Sequence, residues 1–172
     1  ICQPQDEVLV FSPYWVSYPP LIQLAGAKPV VIDTTSREQF QPDPEAIQAA
    51  ITEATKAVIL NSPSNPTGML LERERLKQLA RIALDHDLLV ISDEIYDQLV
   101  FPPHQPCSII QADPRIADQT VIVNGVSKTY RMTGWRIGYA AGPQPLIGAM
   151  EVLQSHSTSN PTSISQYAAV AA

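Results

Sequence analysis

Only two cysteines, Cys2 and Cys107, occur among the 172 residues. They are too few for a disulfide framework and lack the paired spacing of a zinc site, so a reducing, cytoplasmic setting is expected. Basic residues are scarce as well: 11 Lys and Arg stand against 17 Asp and Glu, a net charge of −6. With no Lys/Arg cluster, a nucleic-acid or anionic-membrane surface is excluded, because phosphates would find no counter-charge. No apolar run reaches the roughly 18 residues that a membrane span requires. Internal repeats and low-complexity tracts are also missing, and the 16 prolines are dispersed over turns. What is present, 45% hydrophobic and 16% charged residues, is the composition of a folded domain able to bury a core. The expected ligand is a small molecule.

Both ends read as cut. The sequence opens on Ile1-Cys2-Gln3-Pro4 with strand-like residues almost at once, and Tyr167 to Ala172 runs out in an apolar, helix-like stretch with no stop signal.

Short β-branched runs alternate with longer helical patterns. Glu7 to Phe11, Pro29 to Ile32, Lys56 to Leu60, Leu88 to Ile91 and Thr120 to Val123 read as buried strands. Leu76, Leu79, Ala80 and Ala83 recur at helical spacing within Glu72 to His86, which predicts an amphipathic helix. Further helices are expected from Pro44 to Ile51 and from about Pro145 to Leu153, and a further strand near Ile137 to Ala141. The alternation predicts a three-layer α/β/α domain with a mostly parallel central sheet. Ligands of such sheets bind beyond the carboxyl ends of the strands, which makes Asn61, Asp93 and Ser127 the first candidates.

Three segments at those ends carry chemistry. Asn61-Ser62-Pro63-Ser64-Asn65-Pro66-Thr67-Gly68 is a rigid loop, because each proline fixes its own φ and restricts its predecessor. It aims Asn65, or it is simply a turn before a helix. Ser92-Asp93-Glu94-Ile95-Tyr96 places a carboxylate and a phenol after the fourth strand. Such groups are costly to bury idly, although Asp93 is also a fitting cap for a following helix. Asn124 to Gly138 is dense in hydroxyl, basic and glycine residues and suits a phosphate. Ser127 can donate a hydroxyl hydrogen bond, Arg136 can pair with two phosphate oxygens, and glycines admit close backbone approach. Lys128 lies among them: a free ammonium is a poor nucleophile, but a Schiff base with a buried aldehyde removes its charge. The bland alternative is a surface lysine with a helix-end arginine.

Five ordered blocks, Pro13 to Pro19, Asn61 to Gly68, Ile91 to Tyr96, Ser127 to Gly142 and Ser157 to Ser163, give the chain a resemblance to the class I aminotransferases of the pyridoxal 5′-phosphate (PLP) fold type I, especially the aspartate aminotransferase-like branch. The resemblance implies that residues 1–172 form part of a large PLP-binding domain, without its amino-terminal segment and carboxyl-terminal small domain. It implies Lys128 as the lysine of the internal aldimine and the proton shuttle between Cα and C4′, with Asp93 paired to the pyridine nitrogen. Asn65 and Tyr96 correspond to ligands of the phenolic oxygen, with Asn65 also near the substrate carboxylate. Ser127 and Arg136 correspond to phosphate ligands, and Trp15 to an aromatic over the ring that also touches substrate, unless it is a core residue. Cys107, His86, His104 and His156 match nothing catalytic.

The implied reaction is transamination between an amino acid, aspartate foremost, and a 2-oxo acid such as 2-oxoglutarate, in a homodimer. A PLP-dependent lyase or synthase of the same fold shares these residues, and an inactive truncated domain is a further alternative. An unrelated nucleotide-binding α/β domain lacks its glycine-rich signature here. An apolar sheet edge is also implied, since the family flanks the strand near Ile137 to Ala141 with one from upstream.

Overall fold

In the computed structural model, which describes residues 1–172, six strands form one sheet. They are β1 (Glu7–Ser12), β2 (Lys28–Asp33), β3 (Thr55–Asn61), β4 (Leu89–Asp93), β5 (Thr120–Gly125) and β6 (Gly138–Ala141), in spatial order β2-β1-β3-β4-β5-β6. The first five are parallel, and β6 runs antiparallel to β5. The helices are α1 (Tyr18–Leu24), α2 (Pro44–Ala50), α3 (Arg73–Asp85), α4 (Ile109–Ala112), α5 (Gln144–Ser157) and α6 (Ser163–Ala171). None is long and apolar enough to cross a membrane.

Side chains alternate across each strand, so one run of sequence feeds two layers. Leu9, Val58, Leu60 and Val90 point to one face and pack with Ile47 of α2, Leu76, Leu79, Ala80 and Ala83 of α3, and Ile109 of α4. Val8, Val10, Ala57 and Ile59 point to the other, where Tyr18 and Ile22 of α1 meet them. The result is the expected α/β/α layering, with the first face far more heavily covered than the second. Full burial of a Leu or Val contributes roughly 1.5–3 kcal/mol, so the helix spacing of α3 is what secures the first layer.

α3 ends one residue inside each predicted limit, and its outer face carries exposed ion pairs, Lys77–Glu74 at 3.0 Å and Arg81–Asp85 at 3.8 Å. Asp43 caps α2 by accepting from the amides of Glu45 and Ala46, with Pro44 in the first turn where a missing N–H costs nothing. α1 was not among the expected helices. Pro19 and Pro20 sit in its first turn, where proline is tolerated, although the pair reads as a turn in sequence. α5 extends beyond the predicted segment and buries none of its residues.

Candidate active site at the strand ends

The chain leaves β1 toward β2 on one side, and from β3 it proceeds outward through β4 and β5 on the other. The reversal between the adjacent strands β1 and β3 opens a crevice at their carboxyl ends. All seven predicted site residues line that one cleft: Trp15 after β1, Asn65 after β3, Asp93 and Tyr96 at and after β4, and Ser127, Lys128 and Arg136 between β5 and β6. Its free volume is about 300 Å³, at the lower end of the roughly 300–1,000 Å³ typical of small-molecule sites.

Asp93 is the last residue of β4, and its carboxylate is held from two sides. The Tyr18 hydroxyl donates to Oδ2 at 2.6 Å, and the Ile95 amide donates to Oδ1 at 3.2 Å. No helix follows Asp93. Residues 94–97 form a turn, so the helix-cap reading gives way to a local turn that the carboxylate closes. Tyr18 was quoted within the first sequence block without a role. It is buried, and burial first and the neighbouring Asp93 charge second push its phenol well above the ordinary range. Its ring meets Trp15 edge to face, with centroids 5.4 Å apart at 85°, an arrangement that ring quadrupoles favour. Trp15 itself is 41% exposed, so the core-residue alternative fails and its ring is available to a ligand.

Asn61 ends β3 in register with Asp93. Its side-chain amide donates to the Asp93 carbonyl at 3.1 Å and accepts from the Asn65 amide at 2.7 Å. Glu94 gathers two hydroxyls, those of Ser92 at 2.8 Å and Ser108 at 2.6 Å, and so ties the end of β4 to the start of α4.

Lys128 lies three residues past β5, its Nζ 5.8 Å from the Tyr96 ring centroid, within the reach of a cation–π contact. It enters no ion pair. The Thr133 hydroxyl donates to the Ser127 carbonyl at 3.0 Å, and Arg136 Nη1 donates to the Thr133 carbonyl at 2.8 Å, so the loop closes on itself. Arg136 adopts φ +55°, a left-handed conformation that costs a non-glycine residue about 1 kcal/mol or more and concentrates at functional sites. Gly125 permits the return strand: a Cβ there would lie 2.8 Å from the Ile137 carbonyl oxygen. The block from Ser157 to Ser163 lies away from the cleft, at the junction of α5 and α6. Tyr18, Asn61, Ile95, Val123 and Thr133 are the lining residues that sequence reasoning left without a role; for Tyr18 the available signal was its place three residues after Trp15.

A mostly parallel sheet whose carboxyl ends carry a lysine, a carboxylate, a phenol and a guanidinium belongs with the aminotransferases. A family model described as aminotransferase class I and II matches residues 1–172, and the chain belongs to that family. It is 53% identical over all 172 residues to aspartate aminotransferase of Bacillus subtilis, covering 44% of that protein. It is 55% identical over 167 residues to the aspartate aminotransferase of Geobacillus stearothermophilus, covering 97% of this chain and 42% of that one. Among solved structures, Thermus thermophilus aspartate aminotransferase with maleate superposes with a TM-score of 0.93 at 46% identity, over 98% of this chain and 43% of its own. The aromatic aminotransferase of Pyrococcus horikoshii OT3 superposes with a TM-score of 0.96 at 38% identity, over 99% and 46%. The chain therefore spans less than half the length of these relatives, and the nucleotide-binding alternative is set aside.

Proposed function

We propose that these residues are the cofactor-binding part of a PLP-dependent aminotransferase, which exchanges an amino group between aspartate and 2-oxoglutarate. The observation that carries the reading is the convergence of one amine (Lys128), one carboxylate (Asp93), two phenols (Tyr18 and Tyr96) and one guanidinium (Arg136) on a single cleft at the carboxyl ends of the sheet. The names of the Bacillus and Geobacillus relatives support aspartate, as does the dicarboxylate maleate in the Thermus structure.

The donor set fits PLP part by part. Lys128 offers a primary amine to the aldehyde, Asp93 an anion to the pyridine nitrogen, and Asn65 and Tyr96 polar contacts to the phenolic oxygen. Ser127 and Arg136 offer a hydroxyl and a guanidinium to the phosphate, and Trp15 an aromatic face to the ring and substrate. PLP bound there would supply the electron sink that stabilises a carbanion at the substrate Cα. With it bound, Lys128 Nζ would be placed to serve as base and acid in turn for the proton at the substrate Cα. Asp93, its two oxygens held by Tyr18 and Ile95, would present a fixed charge to the ring nitrogen. Arg136, anchored through its bonded loop, would hold the phosphate end and so limit the orientations open to the bound group.

We read the whole protein as a cytoplasmic homodimer. Two free cysteines support the first, and apolar side chains left exposed on α5 and α6, Leu153 and Val170 among them, support the second. The test is the absorbance spectrum of the purified full natural chain with PLP, before and after borohydride, followed by mass spectrometry of the Lys128 peptide. A near-visible band that borohydride fixes onto Lys128, and that Lys128→Ala abolishes, is the expected result. A folded full chain that takes no label, or takes it elsewhere, overturns the reading.

A further inference from the structure

Asn61 is a cleft side chain whose two polar atoms tie the end of β4 to the loop after β3. Its Nδ2 donates to the carbonyl of Asp93, which also accepts from the Ser62 amide at 3.2 Å. Its Oδ1 accepts from the backbone amide of Asn65. The orientation of the amide is dictated by these partners, because a carbonyl requires a donor and an N–H requires an acceptor. No other common side chain of this size offers both at that spacing: aspartate lacks the donor, and leucine lacks both.

The parallel register puts Asn61 opposite Asp93 at the end of adjacent strands. A displacement of β4 against β3 is thus transmitted through one planar group to Asn65. On the reading proposed above, on which this inference rests, Asp93 and Asn65 hold different atoms of the same ring, its nitrogen and its phenolic oxygen. We propose that Asn61 is a positioning residue that sets the spacing between Asp93 and Asn65, and thereby the in-plane orientation of the cofactor ring between them.

Two variants of the full natural chain test this. Asn61→Ala removes both arms, whereas the isosteric Asn61→Asp keeps the acceptor for Asn65 and removes the donor to Asp93. In the cofactor-free protein, amide exchange at Asn65 should rise on the order of tenfold in Asn61→Ala, the effect of one hydrogen bond, and stay near the parent rate in Asn61→Asp. In the PLP-loaded protein, Asn61→Ala should shift the pH midpoint of the visible absorbance band and weaken PLP retention by about tenfold. Both changes should shrink when Asn61→Ala is made in an Asn65→Ala background, because the arm that acts through Asn65 adds nothing once that side chain is gone and only the arm to Asp93 is left.

Retention and midpoint unchanged in Asn61→Ala, or changes that persist in full beside Asn65→Ala, overturn the assignment while borohydride labelling of Lys128 in the parent keeps the functional reading intact. No labelling of the folded parent removes both. Should Asn61→Ala not fold, Asn61→Asp carries the decision: its Asn65 amide must remain protected while its midpoint moves, and loss of that protection, or no movement, refutes the coupling.

Discussion

The Tyr18 hydroxyl and the Asp93 carboxylate meet at 2.6 Å across 75 positions of sequence. The phenol is pushed above its ordinary value of about 10 by burial and by the adjacent charge. A group whose folded value is raised gives its full stabilisation below the unfolded value and loses it as pH climbs through the folded one. Tyr18→Phe keeps the ring on Trp15 but removes the donor, and should cost about 1–3 kcal/mol in denaturant unfolding at neutral pH. It should also delete the late step from an ultraviolet phenolate titration. A titration of Tyr18→Phe that spans the parent's full range would show the hydrogen bond to be absent.

Gly125 faces Gly138 in the β5–β6 pair, and an added Cβ would stand 2.8 Å from the Ile137 carbonyl and 3.1 Å from Gly138 Cα. Both obstacles are backbone, so a side chain cannot swing clear. Gly125→Ala should lower stability by about 1–3 kcal/mol, as overpacking does. Because Ser127 and Lys128 follow directly, it should also slow labelling of Lys128 in the full chain; unaltered melting and labelling would show that the strands can separate freely.

Asp113 accepts from the Arg115 amide at 3.1 Å and faces its guanidinium at 2.6 Å. The Arg115 side-chain hydrogen bond, ahead of any other cause, holds the carboxyl down at about 2. Its stabilisation is therefore whole above the unfolded value of about 3.9 and disappears as pH falls through about 2. The melting difference between Asp113→Ala and the parent should accordingly be constant near neutrality and shrink steadily as pH falls from about 4 toward about 2. A difference that persists in acid would assign the effect to something other than the charge.

β6 is the outer strand of the sheet, and its Tyr139 is 56% exposed, while β2 closes the opposite side. Unpaired N–H and C=O groups along an edge with apolar neighbours invite a second chain. The 172-residue chain prepared alone should therefore run larger than a monomer in sedimentation velocity, or melt at low temperature. A stable monomer across a hundredfold concentration range would contradict this.

Much of this architecture was legible in sequence, for reasons that also explain what was not. Runs such as Ala57 to Leu60 are apolar at every position because both faces of a parallel strand are covered, and that signal is local. The spacing of Leu76, Leu79 and Ala83 is equally local. α1 escaped because two adjacent prolines look the same in a turn and in a first helical turn. The seven candidate site residues were picked out from strand ends and motif resemblance, and the fold brings them to one cleft. The partners that hold them in place, Tyr18 for Asp93 and Asn61 for Asn65, act through hydrogen bonds whose existence depends on where adjacent strands stop. Pattern reading has no access to that quantity.

The in-register pairing of Asn61 with Asp93 has a consequence for how such a chain can change length. Strand side chains alternate with a period of two, so inserting or deleting a single residue within β3 or β4 would turn Asn61 or Asp93 to the wrong layer. The connections at the opposite rim, around Thr52 to Ala54 and His86 to Asp87, carry no such phase. Natural length variation should accumulate there and stay out of the strands, leaving the spacing from each strand end to its site residue as the most rigid dimension of the molecule.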